Sequence, residues 1–108
     1  MTRKATIVAT GTSPTSGKAW ALASMQPTAE ETLAAMHAGI KANKANAGFV
    51  SANNETRASF KVGEILEGEL AYRVFEREDG AISLGIENVG PGDAEIKAPE
   101  AAAKPDFV

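Results

Sequence analysis

Cysteine is absent from these 108 residues, which excludes a disulfide framework, a thiolate metal site and a thiol nucleophile. Histidine occurs once, at His37, so a histidine-rich metal centre is excluded as well. No apolar run approaches membrane-spanning length. The opening MTRKATIV lacks the long apolar core and cleavage pattern of an export signal, so a cytoplasmic protein with no membrane partner is expected. Strong charge of either sign is also missing. The net charge of −3 argues against a surface coated in positive charge. It leaves room for a local basic face, because four of the last twenty residues are acidic and only two basic. What remains is a chain 44% apolar, long enough for one domain with a real core but not for two.

The clearest local structure is Glu69 to Val89, ELAYRVFEREDGAISLGIENV, two strand-like runs around Glu78-Asp79-Gly80. Were Asp79-Gly80 a two-residue turn, Arg73, Phe75 and Arg77 would oppose Ile86, Leu84 and Ile82, and two arginines would share the apolar face. A three-residue loop closed by Gly80 in the left-handed conformation shifts the register by one. Tyr72, Val74 and Glu76 then oppose Ile86, Leu84 and Ile82, while Arg73, Phe75 and Arg77 oppose Gly85, Ser83 and Ala81. One face becomes core and the other an arginine-aromatic-arginine ladder over small residues. The second register is the expected one.

Elsewhere, Arg3 to Thr10 alternates around Ile7 and Val8 and reads as a strand, followed by a polar loop, Gly11 to Gly17. Lys18 to Met25, with Trp20, Leu22 and Ser24 on one side, reads as the returning strand. Pro27 then breaks the chain, and Thr28-Ala29-Glu30-Glu31 has the form of a capping box. Leu33, Met36 and Ile40 follow at helical spacing, so a helix from Ala29 to about Asn43 is expected to pack that stripe on a sheet, with His37 at the edge of the contact. Ala47 to Arg57 reads as loop. Thr56 to Val62 alternates with Phe60 and Val62 inward and Arg57 and Lys61 outward, as a third strand would. Gly68, inside a strand-like run, signals a bulge or sharp bend. The expected fold is α+β and mainly β: a curved antiparallel five-stranded sheet or barrel with one helix. It occupies residues 1–90, and residues 91–108, rich in Pro, Gly, Ala and acids, read as a flexible tail.

Two segments carry a family likeness. GTSPTSGKAW, Gly11 to Trp20, is similar to the strand-loop-strand segment of small phage single-stranded-DNA-binding proteins, where a GTS..TGKPY-type loop precedes an aromatic residue. Gly11, Thr12, Ser13, Gly17, Lys18 and Trp20 match, with Ser16 for the threonine and Ala19 for the proline. FKVGEILEGEL, Phe60 to Leu70, resembles the opening strand of many oligonucleotide-binding (OB) barrels, where a VG..v.G.v pattern bends around glycine. The ending Pro105-Asp106-Phe107-Val108 is similar to the acidic, aromatic-tipped tails of bacterial single-strand binders. The resemblance implies an OB-like barrel, a homodimer in the bacterial host cytoplasm and a tail available to a protein partner. The expected strand count departs from that pattern, with two strands before the helix and three after instead of the reverse.

Single-strand binding needs cations for phosphates and exposed rings for bases. Arg73, Phe75 and Arg77 supply both on one strand face, Arg57 and Lys61 extend it, and Lys18 and Trp20 complete a platform if the strands are neighbours. The competing reading puts Phe75 and Trp20 in the core and pairs the arginines with Glu67, Glu69, Glu76 or Glu87. An enzyme is not expected, nor any cofactor or metal. Gly11…Gly17-Lys18 only superficially suggests a phosphate loop, because Ala19 stands where Ser or Thr is required. A second function class fits the acidic balance and alanine-rich helix: a phage-type capsid-decorating subunit or inhibitor acting through protein contacts.

Overall fold

In a computed structural model, which describes residues 2–77 and 79–98, alternation and burial agree along the first strand. In β1 (Arg3–Thr12), Ala5 and Ile7 are fully buried while Lys4 and Thr6 face water. A bulge between Ile7 and Ala9 sets Val8 outside the ladder and bends the strand. Its first half pairs with β4 (Ile65–Gly68) and its second with β2 (Ala19–Ser24), both antiparallel. Beyond β2, β3 (Ala47–Val50) adds antiparallel, and β6 (Ile82–Asn88) adds parallel to β3. β5 (Leu70–Glu76) and β7 (Glu95–Lys97) form the two ends, giving the order β5-β6-β3-β2-β1-β4-β7.

The result is an α+β protein, mainly β, with a mixed seven-stranded sheet whose hydrogen-bonding order is open. It differs from the expected five antiparallel strands at several points. β3 lies in a segment read as loop and pairs in parallel. β4 and β5 are separated by a bend at Glu69, beside Gly68, as the glycine signalled. β7 draws residues 95–97, read as tail, onto the free side of β4, where Lys97 pairs with Glu67. Residues 99–108, the remainder of the expected tail, lie outside the described residues.

The third expected strand, Thr56–Val62, is instead largely helix α2 (Asn54–Ser59). The Asn53 side chain accepts from the Thr56 amide at 2.8 Å, an N-cap that outweighs the two-residue alternation. Phe60 does turn inward, but Val62 is 61% exposed.

Helix α1 (Ala29–His37) starts on the expected capping box: Glu31 N donates to Thr28 Oγ1 at 3.1 Å, and Thr28 N to Glu31 Oε1 at 2.9 Å. It stops earlier than expected, with Gly39 at φ +95°, and a single 3-10 turn (Ala42–Lys44) leads to β3. Its inward face is not the leucine-methionine stripe. Ala35 is fully buried, whereas Leu33 and Met36 are half exposed. What turns the helix is Glu31. Its carboxylate takes both terminal nitrogens of Arg3, at 2.8 and 2.9 Å, and the Tyr72 amide at 2.9 Å. Arg3 also donates to the carbonyls of Leu70 and Gln26. One ion pair thus joins β1, α1 and β5. Ala35, one turn beyond Glu31, follows it inward.

The core gathers Ala5, Ile7, Ala21, Ala23, Val50, Leu66, Leu70, Tyr72, Leu84 and Ile86 on one side of the sheet. The Tyr72 hydroxyl is held by the backbone of Met25. Among the described residues, no helix is long and apolar enough to cross a membrane.

Candidate nucleic-acid interface

The β5–β6 hairpin has the three-residue-loop register. Tyr72, Val74 and Glu76 oppose Ile86, Leu84 and Ile82, and Arg73 and Phe75 oppose Gly85 and Ser83. Gly80 sits at φ +86° and its amide donates to the Arg77 carbonyl, while Arg77 N donates to Ala81 O. Tyr72, Leu84 and Ile86 go to the core. Arg73, Phe75 and Arg77 therefore share the opposite, outward face.

That face continues onto β2 and β3. Leu22, Phe49, Gly85 and Arg73 lie on one cross-strand line, by pairing of Leu22 with Phe49, Phe49 with Gly85 and Gly85 with Arg73. Alternation along β2 puts Trp20 on the same side as Leu22. Three rings then form a row. Trp20 and Phe49 have centroids 6.1 Å apart, Phe49 and Phe75 6.4 Å, each at 85°. All three are half-buried. Each ring meets its neighbour edge to face.

Glycines lie beneath two of the rings. A methyl on Gly85 would meet the Phe75 ring at 3.4 Å, an ordinary contact, so this position gives the ring room without requiring glycine. Gly11, opposite Trp20 on β1, lies directly under the indole, and a methyl there would stand 2.5 Å from Cζ2. Gly11→Ala is accordingly expected to swing the indole outward and shift the emission of this sole tryptophan to the red. Unchanged emission in the folded variant would contradict the placement.

The cations divide into two groups. Arg73 and Arg77 border Phe75 and are exposed, paired with Glu87 at 2.9 Å and Asp79 at 3.3 Å. Exposed pairs of this kind contribute about 0–1 kcal/mol, so a phosphate can take the carboxylate's place. Lys18 is exposed just outside β2, two residues before Trp20. Arg57 and Lys61, expected to extend the face on a third strand, have no such strand to stand on. Arg57 braces α2, donating to Ala19 O at 2.9 Å and to Ala52 O. Lys61 lies on the turn against the β1 bulge, where Gly63 and Glu64 bond the backbone of Ile7.

Phe49, the middle ring, was not among the expected residues. Its segment AGFV is only four residues long, and its parallel partner lies more than thirty residues downstream. Lys44 was missed with it. Beside Phe49, where β3 and β6 begin, a groove of about 310 Å³ opens between the 3-10 turn and the hairpin. Ile40, Ala47 and Ile82 wall it, with Lys44 and Ser83 as its polar members. Among the described residues, no group of three or more His, Asp or Glu side chains is placed to hold a metal ion. No family model, curated protein or solved structure matches the chain.

Proposed function

We propose that this is a non-enzymatic single-stranded nucleic-acid-binding protein, taking single-stranded DNA across the outward face of β2, β3, β6 and β5. The observation that carries this reading is the row Trp20–Phe49–Phe75, with Arg73 and Arg77 beside it on an otherwise acidic protein. Rings on a sheet face give bases something to stack on, worth about 1–3 kcal/mol per base. Guanidinium groups among them hold the intervening phosphates.

The strand connections favour an OB-like reading. If β4, Glu69 and β5 count as one strand bent beside Gly68, there are five principal strands, three before α2 and two after. β1 then pairs through one half with β2 and through the other with that bent strand. In partly open barrels of this kind, ligands lie on the second and third strands and on the loops joining strands one to two and four to five. Trp20 and Phe49 occupy the former, and Lys18 and Arg77 stand at the latter. We extend the proposal to a homodimer acting in a bacterial host cytoplasm, which would lengthen the track. A protein partner for the C-terminal segment belongs to the same proposal.

Titration with a single-stranded oligonucleotide at two or more salt concentrations tests the reading. Four cations, Lys18, Lys44, Arg73 and Arg77, each displacing about 0.7 counterion per phosphate, set a log–log slope no steeper than about −3. Arg73→Ala is expected to reduce that slope by about 0.7. No binding at low salt would sink the proposal.

A second reading, protein contact through α1, has one observation in its favour: Leu33 and Met36 are 54% and 50% exposed one turn apart. Gel filtration with and without oligonucleotide separates the two. A large homo-oligomer indifferent to DNA would favour a decorating or inhibitory role.

A further inference from the structure

We infer that the groove beside Phe49 is a seat for one nucleobase, turned out of the stack that the aromatic row supports. This rests on the single-strand reading above and names a site within it.

The groove is largely apolar. Ile40, Ala47 and Ile82 supply aliphatic walls, and Phe49 is shared between the groove and the row. Its volume, about 310 Å³, lies at the low end of the roughly 300–1,000 Å³ of small-molecule sites, which suits one nucleotide. Only two of its members are polar, and their chemistry differs. Ser83 offers a hydroxyl that can both donate to and accept from a base edge. Lys44 offers a full positive charge, and it is exposed, as a contact to a phosphate requires. An open, mainly apolar groove with one hydroxyl and one cation matches the parts of a single nucleotide: ring, base edge, phosphate.

Position favours the same occupant. A strand stacked along Trp20, Phe49 and Phe75 passes over Phe49 whichever way it runs, so a base next to that ring has the groove immediately available. Duplex DNA keeps its bases paired and stacked and cannot offer one without unpairing. The groove therefore adds discrimination between single and double strands as well as affinity.

The test uses the intact chain and methyl NMR. Titration with oligothymidylate is expected to move the Ile40, Ala47 and Ile82 methyl signals by ring-current shifts, together with the Trp20 indole. An abasic deoxyribose-phosphate chain of equal length should leave the three methyls in place. Ala47→Phe, which fills the groove from an exterior strand position, is expected to weaken oligothymidylate binding about fivefold or more. Phe75→Ala should weaken the filled variant further, because it acts on the row and not on the groove. Should Ala47→Phe fail to fold, the wild-type methyl shifts still decide. Movement of the Trp20 indole with all three methyls silent would overturn the groove and leave the interface standing. Silence at both would overturn both.

Discussion

Glu31→Ala is expected to destabilise the protein by about 3 kcal/mol or more, the largest effect of any single substitution outside the core. The carboxylate serves four partners at once: two nitrogens of Arg3 and the backbone amides of Thr28 and Tyr72. Its side chain is 14% exposed and that of Arg3 16%, so removing one charge strands the other where water reaches it poorly. For a domain of this size each 1 kcal/mol lowers the melting temperature by about 4–8 °C, so a drop of more than about 10 °C should be measured. Glu30→Ala, one residue away and exposed, should change little. Equal melting temperatures for the two variants would refute the assignment.

The same group sets an acid limit. Burial pushes the Glu31 carboxyl up, but the hydrogen bonds from Arg3, Thr28 and Tyr72 and the Arg3 charge together bring it down to about 2, from an ordinary 4.5. Because the folded value is the lower one, the unfolded chain binds the proton first as pH falls. The stabilisation is thus complete above about pH 4.5 and is lost on descent towards pH 2. Allowing for solvent at a partly exposed carboxylate, it is on the order of 2–3 kcal/mol. Glu31→Gln should flatten the stability profile within that window and leave its shape above pH 5 unaltered. A profile identical to wild type would assign acid sensitivity to other carboxylates.

Phe49→Ala is expected to be the most damaging substitution for single-strand affinity. Removing either outer ring breaks one edge contact, whereas removing Phe49 breaks both and leaves Trp20 and Phe75 without a shared neighbour. The loss of one stacking surface is about 1–3 kcal/mol, or roughly 5- to 150-fold, and disordering of the two flanking rings places Phe49→Ala towards the upper end. Oligonucleotide quenching of Trp20 fluorescence reads it directly. Val62→Ala, at an exposed position in the turn before β4, is the control. A folded Phe49→Ala protein that binds as well as the control would remove the row from the interface.

Local chemistry was legible in the sequence and distant pairing was not. The hairpin register follows from which face two arginines can occupy. The capping box follows from four consecutive residues, and the bend follows from one glycine. Each involves groups within about twenty positions of one another. Arg3 and Glu31 stand 28 residues apart, and nothing local marks them as partners. Without that pair the 3.6-residue spacing of Leu33, Met36 and Ile40 is the only guide to the inward face of α1; Ile40, beyond the helix, does pack on the core, but Leu33 and Met36 stand outward. Thr56–Val62 misleads differently: two-residue alternation and a capped short helix both fit its residues, and Asn53 decides for the helix. At the candidate interface, Trp20, Phe75 and Arg73 were within reach because they lie in recognisable strands, and Arg77 because it directly follows one. Phe49 and Lys44 were not, because β3 becomes a strand only once β2 and β6 flank it.

The Tyr72 amide has a further significance. β5 ends the sheet, and the hydrogen bonds at Glu69–Val89 and Arg77–Ala81 point the odd-numbered groups of β5 towards β6 and the even-numbered ones outward. Tyr72 N is one of those outward groups, and Glu31 occupies it, while Arg3 occupies the carbonyl of Leu70. A pair that fastens the helix thereby also plugs the margin at which a neighbouring chain would otherwise zip on. Acid that unseats Glu31 would loosen the fold and unsheathe this margin in the same step, so the protein should clump, not merely melt, when it is soured.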